Sequence, residues 1–220
     1  MPPDFVKQQI TELALEANRP LIICDADEVL VYFIGPLAAF LEENGAHLVL
    51  ESFRLLGNIR HMETGKPLEK APALALLDRF FSERVAACPP VEGAVAALEE
   101  LSERAEIVVL TNVPIHARAA RAAALADQGM AYPLIANAGA KGPAVTALSE
   151  QCRGPVIFID DIPQNHASVA AHAARTHRIH FVADPRLRDL IGPAEHCHAR
   201  IDEWPAAKDY ILAYLEKAGN

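Results

Sequence analysis

Leu21-Ile22-Ile23-Cys24-Asp25-Ala26-Asp27-Glu28-Val29-Leu30 is the stretch on which the fold turns. Four apolar residues run without polar alternation, the mark of a strand buried on both faces, and two aspartates follow where that strand must end. Four further short runs, rich in β-branched residues, read the same way: 106–110, 134–136, 156–159 and 179–182. Between them lie helical patterns at about 5–17, 91–104, 114–128, 144–151 and 164–177. The clearest is 114–128, with Pro114 at its start, an alanine-rich body and Gly129 as terminator. Strands alternating with helices predict an α/β fold, a Rossmann-like parallel sheet of five core strands covered by helices on both faces.

One interval breaks the alternation. About 80 residues separate the first strand from the second, far more than a crossover helix needs. Its interior predicts helices at about 36–44 and 68–85, joined by an irregular segment holding Gly57 and Gly65-Lys66-Pro67, and Cys88-Pro89-Pro90 marks the return to the core. The expected organisation is an α/β core of 1–34 and 89–220 with a small, mostly helical cap at 35–88.

Composition narrows the function. With 51% hydrophobic and 22% charged residues, the chain is expected to fold throughout. A net charge of −9 without a dense basic run argues against nucleic acid as a partner. The longest uncharged run, 29–41, is broken by Gly35-Pro36 and is shorter than the roughly 18 residues of a membrane span, so no membrane partner is expected. The start lacks the basic head and apolar stretch of a secretory signal. Four cysteines without a C-x-x-C pair fit a reducing, cytoplasmic setting.

Ligands of a parallel α/β sheet bind at the carboxyl ends of the strands. Here the first strand leads into Asp25-Ala26-Asp27, the second into Thr111-Asn112, the third toward Gly139-Ala140-Lys141-Gly142, and the fourth into Asp160-Asp161. Each taken singly is as readily a turn, a helix cap or a solvated loop residue. Their conjunction at one sheet edge carries the weight: carboxylates, a hydroxyl and an ammonium together.

At these residues the sequence resembles the haloacid dehalogenase superfamily of phosphatases and phosphotransferases. Asp25-Ala26-Asp27-Glu28-Val29-Leu30 meets its first motif, Ile107 to Thr111 its second, Lys141 its third, and Asp160-Asp161-Ile162-Pro163-Gln164-Asn165 its acidic fourth. Glu28 departs from the pattern, since many members carry glycine there. The second aspartate, Asp27, is what the phosphate-ester members of that superfamily carry.

The resemblance implies a phosphoric monoester hydrolase acting on a small-molecule phosphate ester through an aspartyl-phosphate, with Mg²⁺ as cofactor. Asp25 would be the nucleophile and Asp27 the general acid and base. Asp25, Asp161 and the backbone carbonyl of Asp27 would hold Mg²⁺, with Asp160 in the metal set and Asn165 in support. Thr111 and Asn112 would bind phosphoryl oxygens and Lys141 would offset negative charge. In the cap, Arg54 and Arg60, with His61 and Lys66 nearby, would read further negative charge on the substrate. A phosphotransferase or phosphomutase, or a non-enzymatic phospho-acceptor domain, are the alternatives, and a homodimer is compatible with all of them. His196-Cys197-His198 resembles no zinc pattern, because adjacent residues of an extended segment point to opposite faces.

Overall fold

The computed structural model describes residues 1–218. Helix α1 (Asp4–Thr11) precedes β1 (Leu21–Cys24); then come α2 (Ile34–Glu43), β2 (Ala46–Leu48), β3 (Ile59–His61) and α3 (Lys70–Glu83). The chain continues through α4 (Ala94–Ser102), β4 (Glu106–Thr111), α5 (Arg118–Asp127), β5 (Leu134–Ala136), α6 (Gly142–Ser149) and β6 (Val156–Asp160). It closes with α7 (Pro163–His172), β7 (His177–His180), α8 (Pro185–Arg188), β8 (Ala199–Arg200) and α9 (Trp204–Ala218).

The main sheet has the order β5-β4-β1-β6-β7-β8, and every pairing in it is parallel. Alternate residues of β1 divide the core. Leu21 and Ile23 pack with Val6, Ile10, Val145 and Val169 of α1, α6 and α7, while Ile22 and Cys24 pack with Leu98 and Ile211 of α4 and α9 on the opposite face. An apolar run without alternation thus finds two buried faces, as a doubly covered parallel sheet requires.

Six strands replace the five expected. The added one, β8, is two residues long and pairs with β7, too short to show a period in the sequence. The strand expected at 179–182 begins earlier, at His177, and the helix expected to run to His177 stops at His172. Pairing with β6 recruits His177 and Arg178, and the Arg178 guanidinium is satisfied there by the carbonyls of Ala174, Thr176 and His196. Helix α1 is shorter than its pattern, and Pro114 opens a 3₁₀ turn (Ile115–Ala117) ahead of α5. Gly129, at φ 89°, follows the end of α5.

The long interval leaves and rejoins the core at a single place. Tyr32 donates to the Pro89 carbonyl at 2.9 Å and Val91 to the Leu30 carbonyl at 2.8 Å. Inside it, α2 and α3 pack through an aromatic cluster in which Phe33 meets Phe80 edge-on at 5.3 Å and stacks with Phe81 at 5.7 Å. The segment expected to be irregular contains the antiparallel hairpin β2–β3, whose strands of three residues are too brief for a period-2 pattern. No helix among the described residues is long and apolar enough to cross a membrane.

Candidate active site

The carboxyl ends of β1, β4 and β6 open into a cavity of about 670 Å³. Asp25, Asp27, Thr111, Asn112, Lys141 and Asp161 line it together, and Arg54 also contributes to the lining. Arg60, expected beside Arg54, is not in that lining. It lies in β3, where its guanidinium pairs with Glu51 at 2.5 Å. A strand's alternation decides this: a side chain can face the cavity or the hairpin's outer surface, and sequence spacing alone does not choose.

Lys141 is the centre of charge. Buried at the start of α6, its ammonium lies 2.7 Å from an Asp25 oxygen and 2.7 Å from an Asp160 oxygen. Burial works against the ammonium, yet Asp160 and Asp25 outweigh it and hold the lysine above its ordinary range. Gly142 permits this placement. A Cβ there would sit 2.3 Å from the Ser168 carbonyl oxygen, and the Gly142 N–H donates to the Ser168 hydroxyl at 3.1 Å. Asn112 ties the β4 turn to the loop carrying Lys141, donating to the Gly139 carbonyl at 3.0 Å and accepting from Asn137 at 2.8 Å.

Asp25, Asp160 and Asp161 each bring an oxygen within 4.8 Å of the others, and all three are buried. Asp160 is occupied by Lys141, by the Asn165 amide at 2.9 Å and by the Ile162 N–H at 2.9 Å. Oδ1 of Asp161, in contrast, is buried without a partner. Burial first, then the neighbouring Asp160 and Asp25 charges, push the Asp161 carboxyl well above the usual carboxylate range; burial also raises Asp25, against the pull of Lys141. Crowded hard oxygen donors with one orphaned oxygen fit a divalent cation.

Asp27 has a partner that is not among the expected site residues. Arg121 of α5, 1% exposed, brings Nη2 to 2.5 Å from the Asp27 carboxylate. Burial raises the Asp27 carboxyl, Arg121 opposes it, and Asp25 adds to the rise; the net direction is upward. A signal was present: Arg121 stands on the apolar stripe of its helix with Ala117, Ala124 and Leu125, where a lone charge calls for a buried partner.

Two buried histidines take a supporting role that was not expected of them. His166 meets the Asp160 carbonyl at 2.9 Å and His180 meets the Asp161 carbonyl at 2.8 Å, bracing the backbone of the acidic pair. His180 Nδ1 accepts from the Ala194 N–H, which puts the ring proton on Nε2, toward Asp161.

Glu28 adopts φ 58°, a left-handed conformation that favours glycine. Its buried carboxylate accepts from the N–H groups of Phe33, Ile34 and Asp184 at 2.8, 2.9 and 2.9 Å. It therefore fastens the turn after β1 both to the start of α2 and to the loop after β7. Burial raises its carboxyl above the ordinary range despite those hydrogen bonds. The His196-Cys197-His198 segment clasps Arg178: the His196 carbonyl accepts from its guanidinium and His198 Nδ1 from its N–H.

No family model and no curated protein matches the sequence. Solved structures do match. A HAD family hydrolase from Deinococcus radiodurans R1, with bound phosphate and sodium, aligns with a TM-score of 0.57 at 17% identity over 93% of this chain and 98% of that one. A haloacid dehalogenase-like family hydrolase from Streptococcus pneumoniae gives 0.61 at 14% identity, over 90% and 98%. A predicted phosphoglycolate phosphatase from Haemophilus somnus 129pt gives 0.61 at 12% identity, over 91% and 100%. Strand order, the placement of the strand-end residues and these alignments agree: the chain has the fold of the haloacid dehalogenase-like hydrolases.

Proposed function

We propose that this protein is a Mg²⁺-dependent phosphohydrolase that cleaves a phosphate monoester through an aspartyl-phosphate on Asp25, with residues 35–88 acting as a cap. The observation that supports it best is the sharing of one cavity by Asp25, Asp27, Thr111, Lys141 and Asp161, with an orphaned Asp161 oxygen beside Asp25. Asp25 and Asp161 would hold the cation, and Asp160 would position Lys141 and the adjacent backbone. Bound Mg²⁺ supplies charge neutralisation for a dianionic ester and its transition state.

The chain's own groups do the rest. Lys141 offsets the charge of the Asp25 carboxylate and of the incoming phosphoryl group. An Asp25 oxygen bonds to phosphorus as the ester P–O bond breaks, and Asp27 delivers its proton to the departing alkoxide. Asp27, now ionised beside Arg121, takes a proton from water; the water oxygen bonds to phosphorus, the Asp25–phosphorus bond breaks, and inorganic phosphate leaves. Thr111 donates its hydroxyl to a phosphoryl oxygen. The burial that raises the Asp27 carboxyl favours the protonated form needed in the first step.

The test is turnover of p-nitrophenyl phosphate with Mg²⁺ and with excess chelator, in the wild type and in Asp25→Asn. The reading expects inorganic phosphate release that needs the metal and vanishes in the variant while the circular dichroism spectrum is kept. More than a few per cent of residual turnover in Asp25→Asn would remove Asp25 from the nucleophile role. Phosphate passed to a second hydroxyl, without release, would make the protein a phosphotransferase.

A further inference from the structure

We infer that the alcohol half of the substrate is apolar, an aryl or alkyl group in place of a sugar or other polyol. The inference rests on the phosphohydrolase reading and concerns the lining of the same cavity beyond the strand-end residues. The polar groups gather at the strand ends, where the phosphoryl group would sit. The rest of the lining is largely apolar, with Phe33 at the N-cap of α2, Phe53, Leu55 and Leu56 from the β2–β3 loop, and Leu77 and Phe81 from α3. Within 35–88 the polar side chains in the lining are Ser52 and Arg54 alone.

This apolar lining is held in place. Phe33 and Phe81 are locked by their contacts with each other and with Phe80. The loop is shaped by Asn58, whose buried amide donates to the carbonyls of Ser52 at 2.8 Å and Arg54 at 2.7 Å. Phe53 and Leu55 therefore face the cavity by construction. A volume of about 670 Å³ falls in the range that encloses a drug-sized ligand, well beyond a bare phosphate. A polyol against such a wall leaves hydroxyls without partners, each costing roughly tenfold in affinity, whereas each buried methylene gains about three- to fourfold.

Charge agrees with this assignment. Of the four cap cations that the sequence offered as readers of extra negative charge, only Arg54 reaches the lining. A polyanionic leaving group would meet one guanidinium and an apolar surface.

The experiment measures kcat/KM with Mg²⁺ for ethyl, butyl, hexyl and benzyl phosphate and for glucose 6-phosphate, and in parallel the calorimetric Kd of ethyl-, butyl- and hexylphosphonate, which cannot be hydrolysed. The expected result is a rise of about threefold or more per methylene in both series, and benzyl phosphate preferred to glucose 6-phosphate by about a hundredfold or more. Leu56→Ser and Phe53→Ser, on a loop open to solvent, should lower the hexyl-to-ethyl ratio within each variant. Turnover with a flat chain-length series, or with glucose 6-phosphate preferred, overturns the apolar assignment and leaves the phosphohydrolase reading standing. No turnover of any ester, with phosphonate affinity climbing along the series, overturns the phosphohydrolase reading and supports the apolar pocket. Neither turnover nor a slope overturns both.

Discussion

Arg121→Met removes one charge from the interior and keeps most of the side chain's volume, so it isolates the ion pair with Asp27. Breaking a buried pair by deleting one partner costs about 3–5 kcal/mol, because the other charge stays behind without compensation. Asp27 is 21% exposed, which lets water screen it, and we expect about 2 kcal/mol. At roughly 2.1 cal/mol/K of unfolding entropy per residue, that is a Tm loss of about 4 °C. Asp27→Asn alone should cost less, and the double variant should recover part of the loss, giving a coupling of about 1–2 kcal/mol in a double-mutant cycle by urea unfolding. The pH dependence has a fixed sign. Burial sets the folded Asp27 carboxyl above its ordinary range, so the ion pair is complete above that raised value and fades as pH falls through it. Coupling at pH 8 should therefore exceed coupling at pH 5. A coupling below about 0.5 kcal/mol at pH 8, or one that grows on acidification, would refute this account of Arg121.

Gly142→Ala should lower stability by about 1–3 kcal/mol and cut turnover, since a Cβ there would sit 2.3 Å from the Ser168 carbonyl and would drive α6, with Lys141 at its head, off α7; wild-type melting and activity would show that the helices separate freely. Glu28→Gly relieves a positive φ worth about 1 kcal/mol but forfeits three accepted hydrogen bonds of about 1 kcal/mol each, a net loss near 2 kcal/mol by urea unfolding. Equal or greater stability of the glycine variant would contradict the fastening role of that carboxylate. Burial, with His198 and Arg178 beside it, depresses His177 to about 4, and Tyr210 and Tyr214 complete its surroundings. The native state thus takes up fewer protons than the unfolded chain as pH falls from about 6.5 toward 4. Stability held above that window should erode within it, and His177→Phe should erode less; identical acid profiles for the two proteins would dismiss the effect.

Legibility in the sequence followed the range of the interactions. Residues 21–24 run apolar because both sheet faces are covered, and Asp25 and Asp27 follow because a parallel strand delivers its next residues to the ligand edge; both features are written within ten consecutive positions. That Thr111, Lys141 and Asp161 come to one cavity was legible for the same reason, each standing at a strand end or ahead of a helix. Strand β8 and the β2–β3 hairpin were not, because their two or three residues mix polar with apolar side chains over spans too short to show a period, unlike the wholly apolar run of β5.

The chain by itself determined the α/β order, the strand-end carboxylates and the position of the long insertion, since these depend on local period and spacing. Tertiary structure alone decided that Arg121 answers Asp27 from 94 positions away, that Glu28 reaches Asp184, and that Arg60 turns aside to Glu51 while Phe53 and Phe81 face the cavity. Such choices depend on which way a side chain points once helices and loops have packed, and two residues far apart in the chain become neighbours only when the entropy of closing the loop between them has been overcome by the burial of everything around them.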